Sequence, residues 1–137
     1  MPGSNERNNQ MKNFRRINDE VYYYRGTIGN VGSDTITFLK RKAAETGRGR
    51  YLLCLHADSD AIFHDMIIVH TNETIVPPHK HLKRDESLHA IEGEAELILF
   101  EQDGRETTRH QIGADLPGLP FLVRIPANQY HSLYITS

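Results

Sequence analysis

The alternation of apolar and polar residues changes character along the chain. Residues 1–13 (MPGSNERNNQMKN) are polar, with Gly, Ser and several Asn, so burial cannot offset the entropy of ordering them and a flexible tail is expected. From Phe14 to Ile28, the residues Ile17, Val21, Tyr22, Tyr23 and Tyr24 predict a short docking strand or edge segment. Its three consecutive tyrosines pack in the core or line a partner surface. Ile36, Leu39 and Ala43 then recur at helical spacing, with Ser33-Asp34 as the N-cap and Gly47 as the C-cap. One amphipathic helix over about 35–46 is therefore expected.

After Gly49 the period shortens to that of strands. Tyr51–His56 and Ile62–Val69 read as strands around a turn at Ala57–Asp60, with His64, Met66, Ile68 and His70 on one face. Asn72-Glu73 makes a further turn, and Pro77-Pro78 stiffens the entry to His79. Asp85–Ile91 is a strand stopped by Glu92-Gly93. Ala95–Phe100 and Glu106–Ile112 form a hairpin around Asp103-Gly104, a dipeptide suited to the positive φ angles of a tight turn. A loop over Gly113–Pro120 leads to Phe121–Ile125, a sharp turn at Pro126-Ala-Asn128, and a last strand over Tyr130–Ile135. Short strands at this pitch, with no helix among them, predict a sandwich or barrel, with barrel strands over about 51–135.

The chain has 137 residues, enough for one domain over 14–137 with a proper core. A net charge of −2 argues against nucleic acid as a partner, and Arg41-Lys42 and Arg48-Gly-Arg50 read as solvated surface. No apolar run is long enough for a membrane span, and no signal peptide opens the sequence. A single cysteine, Cys54, cannot form an internal disulfide, which fits a reducing compartment and places the protein in the cytoplasm. Cys54 lies in an apolar strand as a small core residue. A nucleophilic pair with His56 would lack an acid to orient it.

The chemistry concentrates in two stretches. His79 and His81 are one residue apart, so on a strand both rings face the same side. Glu86 opens the next strand, and His131 opens the last one after the proline turn. Three imidazoles and one carboxylate suit a divalent first-row metal (Zn, Fe, Mn or Ni) and leave two positions free on a six-coordinate ion. His89 falls on the face opposite Glu86. His56, His64 and His70 read as structural or surface residues, and His110 as solvated. Lys83, Arg84 and Arg124 are the cationic groups nearest the metal strands in sequence, placed to hold an anionic substrate such as a sugar phosphate. Tyr130 and Tyr134 lie opposite His131 and are expected to be covered by the helix or a dimer partner.

From its histidines onward, His79-x-His81, four residues, Glu86, six residues, Gly93 resembles the first cupin motif, and Pro126-x-Asn128-x-x-His131 resembles the second. Tyr51–His56, His64–Val69, Pro77–Leu82 and Glu86–Gly93 are similar to segments of the WbuC family, cupin-fold metalloproteins associated with bacterial O-antigen and surface-polysaccharide gene clusters. The sequence departs from the motifs at three places. Asn72-Glu73 stands where a glycine usually opens the first motif, Asn128 replaces the glycine of the second, and Ile135 replaces a frequent asparagine. Asparagine tolerates left-handed backbone, so the turns are expected to survive. Relative to the family the chain stops early at Ser137, so the last edge is expected to lie open, pair with a second copy or be covered by the N-terminal segment.

The resemblance implies an all-β, cupin-type jelly-roll barrel with a short N-terminal helix, a metal held by His79, His81, Glu86 and His131, and a homodimer. It also implies a small-molecule ligand, either a saccharide or an anionic metabolite. The functional expectation is Lewis-acid isomerisation or epimerisation of a sugar or nucleotide-sugar intermediate in O-antigen (lipopolysaccharide) biosynthesis. An Fe(II)-dependent dioxygenase is the enzymatic alternative, and a non-catalytic metal-dependent binding module is the other.

Overall fold

The computed structural model describes residues 14–26, 28–71 and 74–137. The expected tail at 1–13 and the turn residues Asn72 and Glu73 lie outside the described residues. The chain forms two compact units, Met1–Thr71 and Asn72–Ser137. Both are dominated by β-sheet, and the only helix among the described residues is in the first, so the all-β class holds. Among the described residues no helix is long and apolar enough to cross a membrane.

In the first unit the strands are β1 (Phe14–Arg16), β2 (Val21–Tyr24), β3 (Arg50–Cys54) and β4 (Met66–His70), in that spatial order. β2 and β3 run parallel, and helix α1 (Ser33–Thr46) makes the crossover that a parallel pair requires. Phe38, Leu39 and Ala43 on α1 pack with Tyr24, Tyr51 and Leu53 of the sheet. Phe14, Tyr22 and Phe38 meet at tilted ring angles with centroids 5.4 to 6.2 Å apart. Two of the three consecutive tyrosines therefore serve this core.

Here the structure differs from expectation in three ways. The helix begins at Ser33 with Gly32 as its N-cap, and the Gly32 N–H donates to Thr35 Oγ1 at 3.4 Å, so Ser33-Asp34 is the first turn and not the cap. The helix is the crossover of a βαβ unit, not an element appended before the strands, and β3 and β4 share a sheet with β1 and β2. Residues 55–65 are a loop in which the His56 and His64 rings stack at 4.2 Å, and the expected 62–69 strand is reduced to Met66–His70.

The second unit contains β5 (Ile75–His79), β6 (Glu86–His89), β7 (Glu94–Phe100), β8 (Glu106–Gly113), β9 (Leu122–Ile125) and β10 (Tyr130–Ile135). A four-stranded sheet has the order β5-β10-β7-β8, and β6 pairs with β9 in a separate ribbon. Every pair is antiparallel. Pro77 and Pro78 cannot donate to a ladder, which is tolerated because β5 is an edge strand. Ala95, Ile112 and Ile135 form the core, and Leu88 and Val123 of the ribbon pack against it together with Leu133. The hairpin turn at 101–105 is closed by Glu101 N–H to Arg105 O at 2.8 Å, with Gly104 at φ 89°. Among the described residues no sheet closes on itself.

Gly93 follows the ribbon strand at φ 78°, and a Cβ there would run into the carbonyl of Ser137. Gly104 is also left-handed but has open space around it. Gly104→Ala should therefore cost only backbone strain, about 1–2 kcal/mol, and Gly93→Ala about 2–4 kcal/mol because overpacking adds to the strain. Urea midpoints of the two variants would check the order, and equal losses would contradict it.

Candidate metal centre

β10 is the second strand of its sheet, between β5 and β7, and its pairing with β5 sets His131 directly opposite His79. Paired residues share a face, so these two rings face each other with centroids 4.3 Å apart. His81 follows His79 by two residues and lies 5.3 Å from it, ring edge to face. Its backbone carbonyl accepts from the Asn128 N–H at 2.7 Å, tying the His-x-His segment to the turn that launches β10. Asn128 takes the left-handed backbone at φ 66°, so asparagine does fill the place of the motif glycine.

Glu86 arrives from the ribbon. It pairs with the buried Ile125 of β9 and shares an inner face with Leu88, which packs against the four-stranded sheet. The same alternation that buries Leu88 thus aims the Glu86 carboxylate at the histidines, and His89 falls on the outer face, as expected. Asp85 braces this entry by accepting the Ala127 N–H at 2.9 Å and pairing with Arg124. The Ala127 amide, followed by the Arg124 guanidinium, holds the Asp85 carboxyl below its usual range.

The four side chains offer ligand atoms that all lie within 4.8 Å of one another. Donors at about 2.0–2.2 Å from an ion span up to about 4.4 Å across it, so small side-chain movements would complete a shell. Nδ1 of His79 lies 2.9 Å from the Pro77 carbonyl and Nδ1 of His131 lies 2.9 Å from the Gln129 carbonyl. A carbonyl only accepts, so each Nδ1 carries the proton and each neutral ring presents Nε2 as a lone pair. Glu86 Oε2 is buried, with Nε2 of His81 and His131 at 3.1 and 3.2 Å; facing the lone pair of a neutral His131 it has no donor there, whereas a protonated His131 supplies one. Burying a carboxylate oxygen without a donor is costly, and a cation between these atoms would remove the cost. The residues fit a divalent metal.

The neighbouring His131 ring holds Glu86 below the usual carboxylate range, with burial opposing it. Burial pulls the His131 imidazole down, but the Glu86 contact and the Gln129 carbonyl outweigh it and raise the group. His131 has 5% of its side chain exposed and His81 49%, so the cluster is closed at β10 and open at His81.

The other expected site residues are placed less uniformly. Lys83 and Arg84 sit exposed on the connection between β5 and β6, next to Glu86 in sequence. Arg124 pairs with Ser87 on the outer face of the ribbon, away from Glu86, and forms an ion pair with Asp85. Tyr134 is half exposed, and Tyr130 carries the Lys80 ammonium 4.6 Å above its ring. His56 is buried, Cys54 is a free core thiol, and His110 is exposed. Sequence reasoning missed Asp85, although its place beside Glu86 was a usable signal. It also missed Gln129, whose amide donates to Phe100 O and Tyr130 O at 3.0 Å and for which no signal existed.

The chain belongs to the family described as Domain of unknown function (DUF6016), whose model matches residues 31–112. No curated protein and no solved structure matches the chain. His79, His81 and Glu86 fall within the matched span, and His131 lies beyond it.

The metal-free protein carries a pH signature. Glu86 is depressed, so its contribution is complete above its ordinary value of 4.5 and is lost as pH falls through the depressed one. His131 is raised, so its contribution is complete below its ordinary 6.5 and is lost as pH rises through the raised value. The pair should therefore stabilise the chelator-treated protein fully between about pH 4.5 and 6.5 and decay on both sides. Glu86→Gln should flatten that profile in denaturant midpoints measured across pH. With excess zinc the high-pH side should reverse, because protons no longer compete for the imidazoles.

Proposed function

We propose that this member of a family of unknown function is a cupin-type metalloprotein that acts on a small, oxygen-rich ligand such as a sugar or sugar acid. The observation that carries the proposal is the convergence of the buried Glu86 Oε2 with the Nε2 atoms of His81 and His131, at 3.1 and 3.2 Å. The nested pairing of the second unit supports the cupin-type jelly roll. β7 pairs with β8, β6 with β9 around them, and β5 with β10 outermost, as in an antiparallel ribbon rolled upon itself. The resemblance of Pro77–Leu82 and Glu86–Gly93 to WbuC segments supports a cytoplasmic role in bacterial surface-polysaccharide biosynthesis, as a homodimer.

In this reading His79, His81, Glu86 and His131 hold one divalent ion (Zn, Fe, Mn or Ni) and leave two positions for ligand oxygens. When bound, the ion supplies Lewis acidity to a carbonyl or to vicinal hydroxyls, the chemistry of isomerisation and epimerisation. The chain's own contribution is positional. The Pro77 and Gln129 carbonyls fix two ring tautomers, and the Asn128 amide fixes the backbone of the third ligand. The exposed side of His81 is the approach for the ligand, and Lys83 and Arg84 on the adjoining connection would draw an anionic one.

The test is elemental analysis of protein purified without added metal or chelator, beside a His79→Ala/His81→Ala double variant. Near-stoichiometric metal in the wild type and none in the variant is expected. Iron would direct assays to oxygen consumption and hence to the dioxygenase reading. Zinc, nickel or manganese would direct them to aldose–ketose isomerisation followed by NMR. Ligand retention without turnover would identify a binding module. A wild type that holds no metal and takes up none when offered would overturn the proposal.

A further inference from the structure

The row of side chains that carries His79 and His131 does not end at the metal cluster. His131 pairs with Leu99 of β7, and Leu99 pairs with Thr108 of β8. In the next row Leu133 pairs with Leu97, and Leu97 with His110. Paired residues share a face, so Thr108 and His110 stand on the same sheet face as the metal ligands, separated from them by the two leucines. Farther along that face the rows become Ile135, Ala95 and Ile112, which are core. The face is thus apolar at one end and lined by imidazoles and a hydroxyl at the other.

Two further observations mark Thr108 and His110 as organised and not incidental. Thr108 Oγ1 and His110 Nε2 lie 3.2 Å apart, so the hydroxyl and the ring orient each other although both are exposed. The β7–β8 register also slips between Leu99 and Phe100, at the row of His131, and Thr107 Oγ1 donates to the Leu99 carbonyl at 3.1 Å there. Such irregularities re-aim neighbouring side chains. We infer that Thr108 and His110 form a polar shelf that binds the far end of the metal's ligand, and that the ligand is a hydroxy acid with a polyol tail. This rests on the metal reading above.

The dimensions select the class. Two strand spacings separate the backbones of His131 and Thr108, about 10 Å. Side chains on both sides shorten the gap to roughly the reach of an extended six-carbon chain. A carboxylate with its α-hydroxyl can fill two adjacent positions on the ion. The C–H groups of the tail lie over Leu99, and its distal hydroxyls meet Thr108 Oγ1 and His110. A short hydroxy acid would share the head and miss the shelf.

The test uses cobalt-loaded protein, with the cobalt absorption band as readout and two probes sharing one chelating head, gluconate and glycolate. Wild type is expected to bind gluconate at least about fivefold more tightly than glycolate. Thr108→Val and His110→Ala should each weaken gluconate by about threefold to tenfold, the loss of one hydrogen bond, with glycolate affinity and cobalt stoichiometry unchanged. Equal affinities for the two probes in wild type, or variants that leave gluconate binding intact, would overturn the shelf and leave the metal site standing. Failure to bind cobalt at all would instead overturn the metal reading and the shelf with it.

Discussion

A carboxylate oxygen withdrawn from water and set among imidazole nitrogens is the constraint around which the second unit is arranged. Glu86 Oε2 reaches that position because β6 alternates, with Leu88 directed into the core one step further along the same face. The histidines reach it because β10 lies between β5 and β7 and carries His131 into register with His79. A one-residue slip of β10 would turn His131 outward and bring Ser132 in. The core formed by Ile135 and its partners on β7 and β8 resists that slip, so hydrophobic packing at one end of the face sets the coordination geometry at the other. The scaffold and the site are two ends of the same sheet rows.

Period-two spacing was enough to place His79 and His81 on one side, and the proline turn before Tyr130 was enough to start β10 at the right residue. Asn128 could be expected to accept a left-handed conformation, and it does. What sequence could not supply was non-local pairing. The parallel partnership of β2 and β3 depends on residues 31 positions apart, so α1 read as a helix appended to a barrel and not as a crossover. The placement of Arg124 depends on pairing in the same way. Its distance in sequence from the ligands is small, but strand alternation puts it on the outer face, where Asp85 takes its charge.

His110 shows the same limit from the other side. In isolation an exposed histidine beyond a hairpin is solvated surface, and it is exposed here. Only the register of β8 on β7, and of β7 on β10, reveals that its face is the metal face. The slip at Leu99 adds to the difficulty, because counting residues across the hairpin from the turn gives the wrong parity.

The three ligands inside the family-matched span and the one outside it differ in kind. His79, His81 and Glu86 sit on or beside an edge strand and a two-stranded ribbon, where neighbours are few and local movement is cheap. His131 is buried on a strand paired on both sides, with its ring held by Gln129. A rigid donor at the back and more yielding donors at the front would let an ion enter from the His81 side and be gripped without moving the core. The same asymmetry fixes the direction of ligand approach. A ligand of an ion held there would be read first by its oxygen head and then by whatever its tail can reach along the sheet.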